Sequence, residues 1–70
     1  MYYQLRSNDS STFKQAYWSA EIAGLDPTWL GDMVFDIGTG QIEKVSALIS
    51  KYKLDILVES SHEPTGYRRN

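Results

Sequence analysis

Residues 40–59 read GQIEKVSALISKYKLDILVE, and this stretch decides the fold. Its first part places apolar side chains at intervals of three and four residues: Ile42, Val45, Leu48, Ile49 and Tyr52. This spacing predicts a helix from about Gly40 to Lys53. The second part alternates apolar residues with others, which predicts a strand over residues 54–59. From both elements we expect the core to contain Ile42, Val45, Ile49, Leu54, Ile56 and Val58.

The N-terminal part predicts the same two kinds of element. Tyr3 and Leu5 alternate with outward-facing neighbours, the pattern of a half-buried strand over residues 2–6. A cluster of turn and capping residues follows, and it predicts a helix from Ser11 to about Ala23. That helix carries two apolar stripes, one containing Phe13 and Tyr17 and the other Trp18 and Ile22. A helix with two such stripes is either sandwiched or keeps one of them for a partner.

Residues 26–37 allow two interpretations. Asp26 followed by Pro27 is typical of an N-cap and a first helical residue, and this favours a helix. The alternative is a short buried strand over residues 33–37, because the sequence Val-Phe-Asp-Ile favours β structure. We prefer the helix. Phe35 separates the two, because it lies opposite the apolar stripe on a helix but on the apolar side of a strand.

These elements predict a single α+β domain over residues 1–60, followed by a flexible tail over residues 61–70. We expect a small sheet of two or three strands with two or three helices packed on one face. The chain has no cysteine, so packing has to stabilise this small domain without disulfides.

The charge pattern points to a partner. Residues 15–43 contain five acidic residues and no basic one, a formal charge of −5, together with four aromatic residues. Carboxylates interleaved with large aromatic side chains suit a surface that docks on a basic partner. In this prediction the carboxylates steer the partner toward the surface, and Trp18 or Phe35 anchors it. The predicted partner-binding residues are Trp18, Glu21, Asp26, Trp29, Asp32, Phe35, Asp36 and Glu43.

One motif suggests a small ligand instead. The sequence VFDIGTG at residues 34–40 resembles the glycine-rich phosphate loop of actin-like ATPases and the first motif of S-adenosylmethionine-dependent methyltransferases. Glu59 stands where the methyltransferases place their ribose-binding acid. The resemblance implies a nucleotide or S-adenosylmethionine site at this loop. It covers few residues of a short chain, so we interpret Gly38 and Gly40 as a helix cap and a turn.

The remaining residues argue against catalysis. His62 is the only histidine and lies in the predicted tail, so the serines have no general base in a suitable position. Asp32 and Asp36 alone make a poor metal site. We therefore predict no enzymatic activity, no metal and no cofactor. The pI near 5.1 and the lack of a long apolar run predict a cytoplasmic protein that binds neither nucleic acid nor membrane directly.

The sequence thus predicts a small, acidic, non-catalytic protein-binding module. We expect an inhibitor or antagonist that docks on a basic surface of a larger protein, for example a nucleic-acid-binding surface, and self-association is possible. Antagonists from phages and mobile elements, such as anti-CRISPR proteins, have this size and charge. The alternative is a small-ligand or nucleotide-binding module that uses the loop from Asp36 to Gly40.

Overall fold

The computed structural model describes residues 1–61, which form four strands and two helices. In chain order these are β1 (Tyr2–Arg6), α1 (Ser10–Ile22), β2 (Thr28–Gly31), β3 (Val34–Gly38), α2 (Ile42–Tyr52) and β4 (Asp55–Ser60). The α+β prediction is confirmed, with four strands in the sheet rather than two or three. Except for Ser61, the predicted tail lies outside the described residues.

The four strands form one antiparallel sheet in the order β2-β3-β1-β4. Strands β1 and β3 are central, and β2 and β4 lie at the two edges. Because each neighbouring pair is antiparallel, β1 runs parallel to β2 with β3 between them, and β3 runs parallel to β4 with β1 between them. The element order β-α-β-β-α-β with such split βαβ units is the ferredoxin-like arrangement.

Both helices pack on the same face of the sheet. The core there combines Tyr3, Leu5, Phe35 and Ile37 of the central strands with apolar residues of α1 and α2. The two helices also contact each other, since the Lys44 ammonium donates a hydrogen bond to the Ala23 carbonyl at 3.1 Å. Strand alternation explains which sheet residues reach the helices, because every second side chain points to the same face.

The predicted core is only partly correct. Val45 and Leu54 are buried, and Ile49 packs against the core while half-buried. Ile42 and Ile56, however, are exposed by 44% and 46%. Ile42 is the first residue of α2, and Ile56 lies on an edge strand, so neither is enclosed on all sides. Tyr2, which alternation placed outward, is fully buried on the sheet face opposite the helices.

Helix α1 has a defined signal at each end. At its start the Asp9 carboxylate accepts hydrogen bonds from the Thr12 backbone N–H at 2.9 Å and from the Thr12 hydroxyl at 3.1 Å. At its end Gly24 has a φ of +82°, its N–H donates to the Glu21 carbonyl, and the Leu25 N–H donates to the Ala20 carbonyl. These two hydrogen bonds form a Schellman motif, so the predicted termination at Gly24 is confirmed.

Removing the cap should weaken the fold in a pH-dependent way. The Thr12 hydrogen bonds hold the pKa of the Asp9 carboxyl below its usual value. A carboxyl with a lowered pKa stabilises the fold above its unfolded pKa, and that contribution is lost as the pH falls through the folded pKa. We expect Asp9→Ala to lower the urea midpoint at neutral pH, with the difference from the parent protein shrinking in acid.

Asp9→Asn is the matched control, because its side-chain oxygen can still cap the helix without carrying a charge. It should stay closer to the parent than Asp9→Ala at neutral pH. Equal midpoints for the parent and Asp9→Ala at neutral pH would show that the cap does not contribute to stability.

The preferred helix over residues 26–37 is wrong, and the alternative strand is correct. Asp26 has a φ of +55°, which an N-cap does not adopt, and the residues after Pro27 enter strand β2. Strands β2 and β3 then form a hairpin whose two central residues, Asp32 and Met33, have φ values of +51° and +61°. Positive φ at both central positions is the mark of a type I′ turn, which matches the twist of a hairpin.

Candidate functional site

A groove of about 350 Å³ opens between helix α1 and the β2–β3 hairpin. We call it the aromatic groove. Its lining residues are Ser10, Phe13, Lys14, Tyr17, Trp18, Trp29 and Met33. The lining is dominated by rings and by the Met33 thioether, so the groove offers an apolar contact surface with few polar groups.

Helical spacing explains how α1 contributes five of the seven lining residues. Positions 10, 13, 14, 17 and 18 are separated by three and four residues, so their side chains share one side of the helix. On the opposite wall, Trp29 is paired with Phe35 in the sheet register, and both rings point toward the helices. The Ser7 N–H donates to the Met33 carbonyl at 3.0 Å, which fixes the hairpin turn beside the start of α1.

The floor of the aromatic groove is continuous with the core. The Phe13 ring lies 5.9 Å from Tyr17, 5.8 Å from Trp29 and 5.7 Å from Phe35 between ring centroids. The Tyr17 and Phe35 rings meet edge to face at 5.9 Å, a favourable aromatic geometry. The Tyr17 hydroxyl also donates to the Pro27 carbonyl at 3.4 Å. These contacts give the groove a preformed base.

The rim of the groove is exposed to solvent. Trp18 and Trp29 are 60% and 64% exposed, although both are large rings that proteins usually bury. Met33 also adopts a positive φ, a backbone conformation that costs a non-glycine residue about 1–2 kcal/mol. In Met33 this conformation belongs to the type I′ turn of the β2–β3 hairpin. The exposure of two tryptophans at the rim is therefore the feature that packing of the core does not require.

Charges of both signs surround the groove. Lys14 lines it, and exposed carboxylates lie on the segments that bound it: Glu21 on α1, Asp26 before β2 and Asp32 in the hairpin turn. These three carboxylates outnumber the Lys14 ammonium on the segments that bound the groove, although Lys14 is the charged residue that lines it. The groove therefore presents aromatic rings within an acidic surrounding.

The structure separates the predicted partner-binding residues into three groups. It brings Trp18 and Trp29 together in the aromatic groove and places Glu21, Asp26 and Asp32 on the segments around it. It removes two residues from the predicted surface, because Phe35 and Asp36 are both fully buried. They lie on a central strand whose two faces are both covered at this point, so a partner cannot contact them there.

Glu43 belongs to a different surface. It lies in the first turn of α2, beside Gly40 and Lys44, and not along the groove. Sequence reasoning missed five of the lining residues: Ser10, Phe13, Lys14, Tyr17 and Met33. The two apolar stripes on α1 could have indicated part of this lining, since Phe13 and Tyr17 belong to one stripe and Trp18 to the other.

The glycine-rich loop after β3 makes hydrogen bonds with other parts of the protein. The N-terminal ammonium of Met1 donates to the Thr39 carbonyl at 3.0 Å, and the Thr39 N–H donates to the Met1 carbonyl at 2.8 Å. The Gln41 N–H is bonded to the Thr39 hydroxyl oxygen at 2.9 Å. Polar atoms of this loop thus hold the N-terminus and the entry to α2. The strand leading into it lies in an antiparallel sheet, whereas dinucleotide sites of this type lie on parallel ones.

Within residues 1–61 no group of three or more histidine, cysteine or acidic side chains is placed to hold a metal ion. The helices of this part of the chain are too short and too polar to cross a membrane. His62, the only histidine, lies outside the described residues. The fold is thus an α+β domain with a four-stranded antiparallel sheet. Comparison of the chain with known protein families, curated proteins and solved structures finds no match in any of the three.

Proposed function

We propose that this protein is a non-catalytic protein-binding module that uses the aromatic groove to dock on a basic surface of a larger protein. The observation that carries the proposal is the pairing of two exposed tryptophans, Trp18 and Trp29, across one groove. Tryptophan is among the residue types most enriched in the few positions that dominate binding energy at interfaces. Within this class we propose an inhibitor or antagonist of the kind made by phages and mobile elements, such as anti-CRISPR proteins.

The composition of the groove and its surroundings supports a protein partner. Stable protein interfaces bury about 800 Å² on each side, with a few buried anchors at the centre and a polar rim around them. The aromatic groove supplies the anchors. Ile22, one helical turn after Trp18 on α1, is a further exposed apolar side chain on this side of the helix, and the surrounding carboxylates supply the rim. An acidic rim favours a partner with lysine or arginine at its contact surface.

A peptide-display selection tests the proposal and does not require that the partner be identified first. A random peptide library is selected on the immobilised protein after depletion on a variant carrying both Trp18→Ala and Trp29→Ala. We expect the enriched peptides to combine lysine or arginine with an anchor residue, and to quench or shift the fluorescence of the two tryptophans. Because the chain has only these two, the fluorescence reports the groove directly.

The double variant must first be shown to fold, by circular dichroism and urea denaturation. Enriched peptides that bind the double variant as tightly as the parent would contradict the proposal, because the contact would then lie elsewhere on the molecule. Failure to enrich any peptide over the depleted library would contradict it as well.

The charge of the rim should control the rate of association. Asp32→Lys reverses a carboxylate in the hairpin turn beside the groove, so a basic peptide should associate severalfold more slowly and with a weaker dependence on salt. Stopped-flow fluorescence with the enriched peptides measures both quantities. Dissociation should change less, because a rim charge acts mainly during the approach.

Glu43→Lys is the matched control for this experiment, since it changes the net charge by the same amount but lies on α2, away from the groove. It should slow association less than Asp32→Lys does. Equal effects of the two variants would mean that only the overall charge matters, and the rim would lose its assigned role.

A further inference from the structure

The chemistry of the aromatic groove indicates what side chain it accepts. Its rings present π faces, which carry partial negative charge and attract cations within about 6 Å of the ring centroid. Among residues 1–61 the cation–π contact that the structure shows is between Lys51 and Tyr52, at 5.4 Å, on α2. No described cation therefore lies over the rings of the groove, and this includes Lys14, which lines it.

We infer that the aromatic groove binds a single cationic side chain of the partner, with an arginine guanidinium as the preferred group. This inference rests on the proposed function and specifies its anchor. A guanidinium is planar, stacks on aromatic faces and is more weakly hydrated than an ammonium, so entering an apolar groove costs it less. Trp18 and Trp29 provide two exposed rings of the type that attracts cations most strongly.

Three further features fit a cation rather than a neutral apolar group. Exposed carboxylates neighbour the lining residues, with Glu21 one helical turn after Tyr17 and Asp32 next to Met33, and they favour a positive ligand at the rim, whereas Lys14 in the lining opposes it. The groove volume of about 350 Å³ is at the lower end for ligand pockets, so it suits one long side chain better than a whole element of secondary structure. An arginine stem can also bury its methylene groups against Phe13 and Met33 while the guanidinium meets the rings.

Lys14 provides a test of opposite sign. Its ammonium is a like charge beside the bound cation, so it weakens cation binding but has little effect on a neutral ligand. Lys14→Gln should therefore tighten the binding of a cation, whereas the loss of either tryptophan should loosen it. A groove that binds neutral side chains predicts the loss of affinity on removal of a tryptophan, but no gain of affinity from Lys14→Gln.

The experiment is an NMR titration of the ¹⁵N-labelled full chain, in which the indole N–H signals of Trp18 and Trp29 report occupancy. The probes are the N-acetyl methylamides of arginine, of citrulline as its uncharged near-isostere, and of leucine. We expect the arginine probe to bind at least about threefold more tightly than either neutral probe. Lys14→Gln should increase this preference, and Trp29→Ala should abolish it while the variant stays folded.

The outcomes separate this inference from the function on which it rests. If leucine or citrulline binds as tightly as arginine and Lys14→Gln changes nothing, the groove binds a neutral side chain; the inference is then wrong, and the proposed function stands. If no probe moves either indole signal up to its solubility limit, the inference is overturned. The display selection then decides separately whether the groove binds a protein at all.

Discussion

Phe35→Ala should strongly destabilise the protein. The Phe35 side chain is fully buried, and its ring contacts both Phe13 and Tyr17, so truncation removes a large aromatic group from the centre of the core. Such a change costs about 3–5 kcal/mol. A domain of 70 residues has a total stability of roughly 4–10 kcal/mol at the usual 0.05–0.15 kcal/mol per residue. The loss is thus comparable to the whole stability.

Circular dichroism and urea denaturation followed by tryptophan fluorescence measure this effect. Trp29→Ala is the matched control, because it also removes an aromatic ring that contacts Phe13, but one that is 64% exposed. It should cost about 1 kcal/mol, the value of an aromatic pair with little loss of burial. A Phe35→Ala variant with the same urea midpoint as Trp29→Ala would contradict the burial of this ring.

The contrast between these two variants also corrects the role predicted for Phe35. The sequence predicts that this ring anchors a partner. Since Phe35 lies in the core, its truncation should act through folding, and any loss of binding would follow from that. In the proposed function the anchors are instead Trp18 and Trp29, which line the aromatic groove.

The sequence predicts best where the local pattern and the tertiary environment agree. Helix α2 lies within the predicted range, because an apolar stripe of three- and four-residue spacing fits only a helix packed on one side. Strand β4 is predicted to within one residue at each end, because alternating apolar residues are typical of a strand. The apolar pattern does not show which residues lie at the edge of the core. Ile42 and Ile56 fit the pattern, but both are exposed because they lie at the start of α2 and on an edge strand.

The hairpin was harder to predict, because its local signals conflict with its tertiary structure. Asp26 and Pro27 have the residue types of a helix start, but the chain turns there into an edge strand. The type I′ turn is formed by Asp32 and Met33, which lack the Asn-Gly or Asp-Gly pair that usually marks it. Because the turn lacks this pair of residues, strand β2 cannot be recognised from the sequence, which therefore predicts fewer strands in the sheet.

The candidate site could be predicted by composition but not by geometry. Two tryptophans in an acidic stretch indicated a binding surface, and the fold does place both in one groove. Sequence order could not show that Asp36 would be buried or that Glu43, on the predicted second helix, would lie away from the groove, because both depend on how the strands and helices pack. A buried carboxylate in a central strand is also contrary to the usual distribution of charged residues.

The second large effect concerns the anchors of the groove. Trp18→Ala and Trp29→Ala should each weaken binding of a groove-selected peptide by about 2 kcal/mol, which is about thirtyfold in the dissociation constant. Both rings are exposed before binding, so their truncation removes contact with the partner and leaves most of the core intact. The loss should appear mainly as faster dissociation, since anchors act after the complex has formed.

Leu57→Ala provides the control for this prediction, because Leu57 is also apolar and 44% exposed but lies on β4, at the opposite edge of the sheet from β2. Stopped-flow or surface plasmon resonance with the selected peptide gives both rate constants for all three variants. If Leu57→Ala speeds dissociation as much as the tryptophan variants do, the effect is a general loss of apolar surface. If only the tryptophan variants do so, and both remain folded, the binding energy is concentrated in the aromatic groove, because Trp18 and Trp29 line it and Leu57 does not.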